Sequence, residues 1–446
     1  LSAPAPDPLE HARDALRRRR PLAAGVCLDA APPALMRAPA WALLRGLAHA
    51  RLGDIDAAAL RLDPLTRGPE PWAAEATAAL ADAFHLLHRP QALRELLAAH
   101  PGWARTPRGA LFKARLLAPD DPEQALKHLL ALAGDSPAPG LPRLAGFDAV
   151  HLLDRLGRHP EAYALAQRLH AAQPAGDSPG LLADLALQRR LLAKGSGWCP
   201  PRAAPVQDVA FIVGLPRSGT TLLAQMLDAH PAVAGIGEHE GLGVLAEALT
   251  TAGVWPYRLK HLAEDAAAQM QQQYRRGARA RARPGVRYTL DKSLRSWRVL
   301  PGIAAVLPGA VALHVQRDAR DMAISAFLSD LDPLGFAWAA RLDTILQVIE
   351  AERALVPLAL HTLSIAHESI AYESLVADPR ATLQRGLARL GLPMDEGVLA
   401  PEHNPRAALT LSHDQVRRPV NDASIGRWQR YAFAFDARWQ ALAPRR

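Results

Sequence analysis

The hydrophobic pattern of the chain changes character near residue 200. Before it the signal is almost continuously helical, with Pro and Gly as punctuation. After it short unbroken apolar runs appear. The first, Val-Ala-Phe-Ile-Val at 209–213, reads as a strand buried on both faces, as in a parallel sheet. Gly214 and Gly219 then bracket a tight loop, and Leu222, Leu223, Met226 and Leu227 share one helical face before His230-Pro231 ends it. Further strand signals follow at 287–292, 310–316 and 364–372. The pattern predicts an α/β domain over 206–446, a central parallel sheet with flanking helices. It places an all-α domain over 1–195 ahead of it and a linker at 196–205. The Pro- and Gly-rich stretch 177–205 contains the boundary, with Leu181–Leu192 as a capping helix within it.

The helical half repeats. Gly53-Asp54-Ile55-Asp56-Ala57-Ala58 resembles Gly157-Arg158-His159-Pro160-Glu161-Ala162, and Ala92 and Ala125 sit in similar contexts. The four alanines are 34, 33 and 37 residues apart. A period near 34 is that of tetratricopeptide helix pairs, which stack into a superhelix with a concave face suited to a peptide or another protein. The rival to the repeat is an irregular helical domain, and the alternative to holding a peptide or protein is a packing or dimerisation role.

Composition narrows the setting. The 446 residues are 49% hydrophobic but only 5% aromatic, ample for cores and biased to helix. The net charge of +8 suits an anionic ligand, nucleic acid or an acidic membrane and does not choose among them. Arg275, Arg276, Arg279, Arg281 and Arg283 read as a solvated helix face, and no interleaved aromatics build a nucleic-acid platform. Cys27 and Cys199 form no CxxC or zinc-like spacing, so neither a disulfide framework nor a metal site is expected. The compartment read from this is reducing and cytoplasmic. No apolar stretch is long enough to span a bilayer. Arg17–Arg20 followed by 21–31 mimics a secretory leader, but Asp29 and the prolines spoil it, so it reads as a helix end and a loop. The first residue is Leu1, which leaves the natural start open.

Strand, glycine loop and helix at 209–230 make the context in which backbone N–H groups and a helix dipole hold an anion. The spacing of Gly214 and Gly219 is that of the nucleotide P-loop, yet Thr220-Thr221 follow where Lys-Ser or Lys-Thr is required. The missing Lys is the group that reaches β- and γ-phosphates. Arg217 supplies the positive charge instead, so an anion smaller than a triphosphate suits the loop. Pro216-Arg217-Ser218-Gly219-Thr220-Thr221-Leu222 resembles the 5′-phosphosulfate loop of sulfotransferases that use 3′-phosphoadenosine 5′-phosphosulfate (PAPS). Within that family it resembles the tyrosylprotein sulfotransferases and the bacterial sulfotransferases with tetratricopeptide repeats. The resemblance covers about residues 205–432.

It implies roles for the motifs that follow. A Glu just beyond the first helix takes the acceptor's proton. Glu238 follows Arg217 by 21 residues, the count in the tyrosylprotein enzymes, but an extra residue before Gly237 would move Glu240 or His239 into that place. Lys292, at the end of the strand Arg287–Lys292, stabilises charge on the transferring group. Arg317 and Ser325, eight residues apart, share the 3′-phosphate, and Tyr372 lies near the nucleotide. Ser412 and Arg427, in a carboxy-terminal segment resembling that of the tyrosylprotein enzymes, contact the sulfate-bearing nucleotide, with Arg427 standing where those enzymes have Lys. The implied reaction carries a sulfuryl group from PAPS to a hydroxyl and releases 3′-phosphoadenosine 5′-phosphate (PAP). It needs no metal if Arg217, Lys292 and the loop amides neutralise the developing charge. The acceptor, whether peptide tyrosine, sugar, lipid or small phenol, stays unnamed. Two other classes remain: a P-loop kinase or NTPase, and an interaction scaffold with a dead transferase half.

Overall fold

The computed structural model describes residues 7–135, 139–172, 178–404 and 419–442. They fall into two compact units, Leu1–Leu165 and Ala166–Arg446. The division lies within the helix His159–Ala171, so the stretch 196–205 belongs to the second unit.

The described part of the first unit is helical throughout, apart from turns. Six of its prolines open helices, since Pro8, Pro21, Pro39, Pro90, Pro107 and Pro122 each begin one, while Pro64 lies inside Ile55–Thr66. A proline at the first helical position lacks only an N–H that has no partner inside the helix, and its φ is already helical. The stretch after Arg20, expected as a loop, is for this reason the helix Pro21–Asp29. Helices pack in neighbouring pairs, Pro39–Leu52 with Ile55–Thr66, Trp72–Leu86 with Pro90–Ala99, and Pro107–Leu117 with Pro122–Asp135. The alanines Ala58 and Ala125 near the start of second helices are fully buried. Leu43, Leu62, Leu80, Leu93 and Phe112 share the core around Ala58.

The second unit is built on a five-stranded parallel sheet: β1 Val209–Val213, β2 Val233–Gly237, β3 Tyr288–Asp291, β4 Val311–Gln316 and β5 His367–Ala371, in the order β2-β3-β1-β4-β5. In register, Ala210 pairs with Leu290 on one side and Val311 on the other. The chain leaves β1 to build β2 and β3 on one flank, then crosses to build β4 and β5 on the other. Strand order therefore reverses beside β1, which opens a crevice at the carboxyl ends of the strands. Leu223, Met226 and Leu227 from the helix Thr220–Asp228, with Leu383 and Leu387 from Pro379–Arg389, cover one face over Ala210, Ile212, Leu290, Leu313 and Ile370. On the other face Phe211 meets Tyr274 with ring centroids 5.8 Å apart.

Two elements differ from expectation for reasons of packing. The helix Ser178–Leu192 buries Leu181, Leu185 and Leu192 and packs against Leu342–Thr362. Gln188 also donates to the Arg298 carbonyl at 3.1 Å, so this helix is part of the second unit. Of the arginines expected as a solvated face, Arg276, Arg279 and Arg283 are exposed, yet Arg275, Arg279 and Arg283 also brace the sheet. Arg275 donates to Asp208, just ahead of β1, at 2.8 Å. Arg283 donates to the Asp228 and His230 carbonyls at 2.9 and 2.6 Å, closing the end of the loop helix. Among the described residues no helix is long and apolar enough to cross a membrane.

Candidate active site

Every strand delivers a candidate residue at its carboxyl end, because all five run parallel. β1 leads into Gly214–Gly219, β2 into Glu238, β3 into Lys292, β4 into Arg317 and β5 into Tyr372. The β1 loop closes on itself through the Ser218 hydroxyl, which donates to the Leu215 carbonyl at 2.7 Å. Arg217 takes a left-handed φ of 69° and Gly219 one of 103°. The helix starting at Thr220 follows at once, which sets its first N–H groups at the loop. Gly219 is required twice over. Its φ disfavours a side chain, and a Cβ there would lie 2.4 Å from a ring carbon of Tyr372. Gly219→Ala is expected to lower the melting temperature by several degrees, from roughly 1–3 kcal/mol of strain. A thermal scan checks it, and an unchanged midpoint would show that the loop has room.

Around this loop arginines gather. Arg217 Nε donates to Ser325 Oγ at 2.9 Å. Arg317 donates to the Arg217 carbonyl at 3.0 Å and to the Ser424 carbonyl, and its guanidinium lies 4.5 Å from the centroid of the Tyr372 ring. Arg353 holds the Arg317 carbonyl at 3.1 Å. Arg317 sits two residues before the helix Ala319–Phe327, and Ser325 is turned to Arg217. Arg217 is thus the bridge between the pair expected to act together. Burial first, then repulsion from Arg317 and Arg427, pushes the Arg217 guanidinium down to about 10. Arg317 Nε is buried with no hydrogen-bond partner. Like charges held together, with a buried donor left over, fit an anion rich in oxygens, since charge-assisted hydrogen bonds would relieve both costs.

The carboxylate is placed by an irregularity in β2. Gly235 pairs with Leu290 and Gly237 with Asp291, so Ile236 is an extra residue against β3. The bulge absorbs the surplus residue inside the strand, and Glu238 stays beside Lys292: Lys292 Nζ donates to Glu238 Oε1 at 2.7 Å. The Lys292 side chain is 3% exposed and that of Glu238 46%, so the pair lies at the mouth with the lysine beneath. Glu240 occupies the N-cap position of the helix Gly241–Thr251, with no capping hydrogen bond to its side chain. His239 faces inward. Its Nδ1 accepts from the Gly241 N–H at 3.2 Å, its ring stands edge-on to Tyr274, and burial pushes it down to about 4. Beneath Lys292, burial raises Asp291 to about 6 against hydrogen bonds from Ser293 and Tyr274.

Further residues at this site escaped the sequence reading. The Asp321 carboxylate accepts the Gly426 and Trp428 N–H groups at 2.7 and 2.8 Å, and the Arg320 guanidinium lies 3.6 Å from the centroid of the Trp428 ring. Glu373 accepts the Asp318 N–H at 2.8 Å. These contacts tie Ser424–Trp428, and with it Arg427, to the turn after β4. The partners of Asp321 are 105 and 107 residues away along the chain and that of Glu373 is 55 away, so no local spacing announces them. The one signal was the density of charge in Arg317-Asp-Ala-Arg-Asp321. Ser412 lies outside the described residues.

The family model described as Sulfotransferase family matches residues 210–396. This stretch is a sulfotransferase-superfamily domain. Protein-tyrosine sulfotransferase 1 of Danio rerio is 26% identical over 235 residues, 49% of this chain and 64% of that protein. An uncharacterised protein of Aquifex aeolicus (strain VF5) is 26% identical over 249 residues, 52% of this chain and 31% of that protein. The chain thus spans less than two thirds of either relative. Among solved structures, the sulfotransferase domain from the Synechococcus PCC 7002 olefin synthase is 20% identical, covers 53% of this chain and 98% of that one, and aligns with a TM-score of 0.35. The sulfotransferase domain here contains Arg217, Glu238, Lys292, Arg317, Ser325 and Tyr372, while Arg427 lies beyond the matched stretch. Among the described residues no group of three or more His, Cys, Asp or Glu is placed to hold a metal.

Proposed function

We propose that the chain transfers a sulfuryl group from PAPS to an acceptor hydroxyl. The observation that carries the reading is the meeting of two devices at one sheet end. One is the cationic loop of Arg217 and Arg317, and the other is the Lys292–Glu238 pair at 2.7 Å. PAPS supplies a sulfuryl group on a good leaving phosphate. Pro216 to Thr221 form the cradle for its 5′ end, through the backbone N–H groups of Gly219 and Thr220 and the Arg217 guanidinium, with Ser218 holding the turn by donating its N–H to the Leu215 carbonyl at 3.2 Å. Arg317 with its unpaired Nε, Ser325 and Tyr372 suit the 3′-phosphate and nucleoside, and Arg427 adds charge from the carboxy-terminal segment. Ser412 keeps the role that the resemblance implies.

In this reading Glu238 takes the acceptor's proton as the acceptor oxygen bonds to sulfur. Lys292 and Arg217 neutralise charge as the bond from sulfur to the phosphate oxygen breaks and PAP leaves. The acceptor class spans peptide tyrosine, sugars and small phenols. The helix pairs of the first unit, with small buried residues at their close approaches, support a tetratricopeptide-like array that presents the acceptor or a partner copy. The reading places the chain in the cytoplasm.

PAP should stabilise the protein by about 2.7 kcal/mol at a hundred times its dissociation constant, a rise of several degrees in melting temperature. ATP with Mg²⁺ should do much less, because the loop lacks the lysine that holds a triphosphate. Thermal shift beside turnover of labelled PAPS tests the reading. Stabilisation by ATP–Mg²⁺ and not by PAP would install a kinase or NTPase in its place.

A further inference from the structure

Beside the strand end that carries Lys292, the second unit opens a cavity of about 340 Å³. Leu181 and Asp184 form one wall, Arg295 and Arg298 a second, Gly335 and Trp338 a third. The first wall comes from the helix Ser178–Leu192, ahead of the family-matched stretch 210–396. The second follows β3 directly: three residues after Lys292, the Arg295 Cα lies within about 11 Å of the lysine's. The third comes from the short helices Pro333–Phe336 and Ala337–Ala340, the second of which packs against the helix that carries Ser325. The cavity is therefore linked to the site by the turn after β3 and by a short helix packed on the Ser325 helix. Its volume falls among ligand pockets, which run from about 300 to 1,000 Å³.

Its chemistry is anion-seeking. Two guanidiniums face one carboxylate, a surplus of one positive charge. Burial lowers Arg298, and repulsion from Arg295 lowers it further, while burial raises Asp184. Gln188 donates to Asp184 Oδ2 at 3.0 Å, so part of that carboxylate is already satisfied. Trp338 is 2% exposed and its indole N–H is buried with no partner, a donor with a cost unless something accepts from it. Gly335 makes room for the Arg295 guanidinium, whose Nη2 would lie 2.6 Å from a Cβ at that position.

We infer that this cavity binds the carboxylate of a small organic acid through Arg295, Arg298 and the Trp338 indole N–H, and that this acid is the acceptor. The second half rests on the transferase reading above. The probe is 3-(4-hydroxyphenyl)propanoate, compared with its neutral amide, on the full chain. By calorimetry the acid should bind at least tenfold tighter than the amide. Arg295→Gln should bring the two within about twofold, and Trp338→Phe should weaken the acid by about three- to tenfold. Arg295 is exposed, so its substitution leaves the core intact, and PAP affinity should not move in either variant. With labelled PAPS the acid should be turned over at least tenfold faster than the amide at low concentration. Equal binding of acid and amide, or a preference that survives Arg295→Gln, would overturn the site. Acid binding without a turnover preference would overturn its role as acceptor. Failure of PAP to bind while the acid preference persists would remove the transferase reading and leave the carboxylate site in place.

Discussion

Glu238→Gln is expected to bind PAP within about two- to threefold of wild type and to lose roughly 10²–10⁴ of transfer. The substituted amide keeps a carbonyl oxygen for Lys292, whose Nζ now donates to Glu238 Oε1 at 2.7 Å, so the geometry at the end of β3 persists. Only the capacity to accept a proton is removed. Glu240→Gln should be much milder, since Glu240 stands at the cap of the next helix rather than on Lys292. His239 is poorly placed as a substitute base: it is 4% exposed, its Nδ1 already accepts the Gly241 N–H, and its ring packs on Tyr274. Its replacement should act through stability. Calorimetry with PAP beside turnover of labelled PAPS separates these outcomes. Near-normal turnover in Glu238→Gln with collapse in Glu240→Gln would move the base two residues along. Near-normal turnover in both would take the carboxylate out of the mechanism.

Arg217→Ala should do the opposite and abolish nucleotide affinity, by about 10²–10³-fold. A charged hydrogen bond contributes about 1.5–3 kcal/mol, and Arg217 would offer more than one. The ligand-free protein should not suffer for it. The Arg217 guanidinium is pushed down to about 10 by burial, Arg317 and Arg427, so at neutral pH its charge opposes the folded state. Deleting it removes that repulsion at the cost of contacts that include the hydrogen bond to Ser325. The melting temperature without ligand should hold or rise while the increment produced by PAP disappears. Arg217→Lys should restore little of the binding, because an ammonium cannot donate to Ser325 and an anion in the guanidinium's forked geometry. A fall in ligand-free stability with PAP affinity preserved would assign Arg217 to the scaffold instead.

Much of the molecule could be read locally. A strand buried on both faces is a run of apolar residues, and a phosphate-type loop is glycine spacing followed by a helical face. Such patterns depend on neighbours a few residues away, so β1, its loop and the helix at Thr220 stand where the pattern placed them. The Lys-less loop and the charge at Arg217 were equally legible, and they already pointed away from a triphosphate. Local reading failed where a residue type has two uses. Proline after Arg20 starts a helix as readily as it ends one, and Arg275 and Arg283 look like parts of a solvated face alone until Asp208 and the carbonyls at Asp228 and His230 come beneath them.

The remaining decisions were tertiary. That Glu238 rather than Glu240 meets Lys292 follows from a bulge at Ile236, visible only when β2 is laid against β3. Ser325 meets Arg217 across 108 residues of chain. Asp321 captures Gly426 and Trp428 across 105 and 107. The sequence alone determined the kinds of group available and the short-range elements that carry them. Which group faces which was decided by parallel strands bringing five carboxyl ends to one edge of the sheet, where residues far apart in the chain share a few ångströms of space.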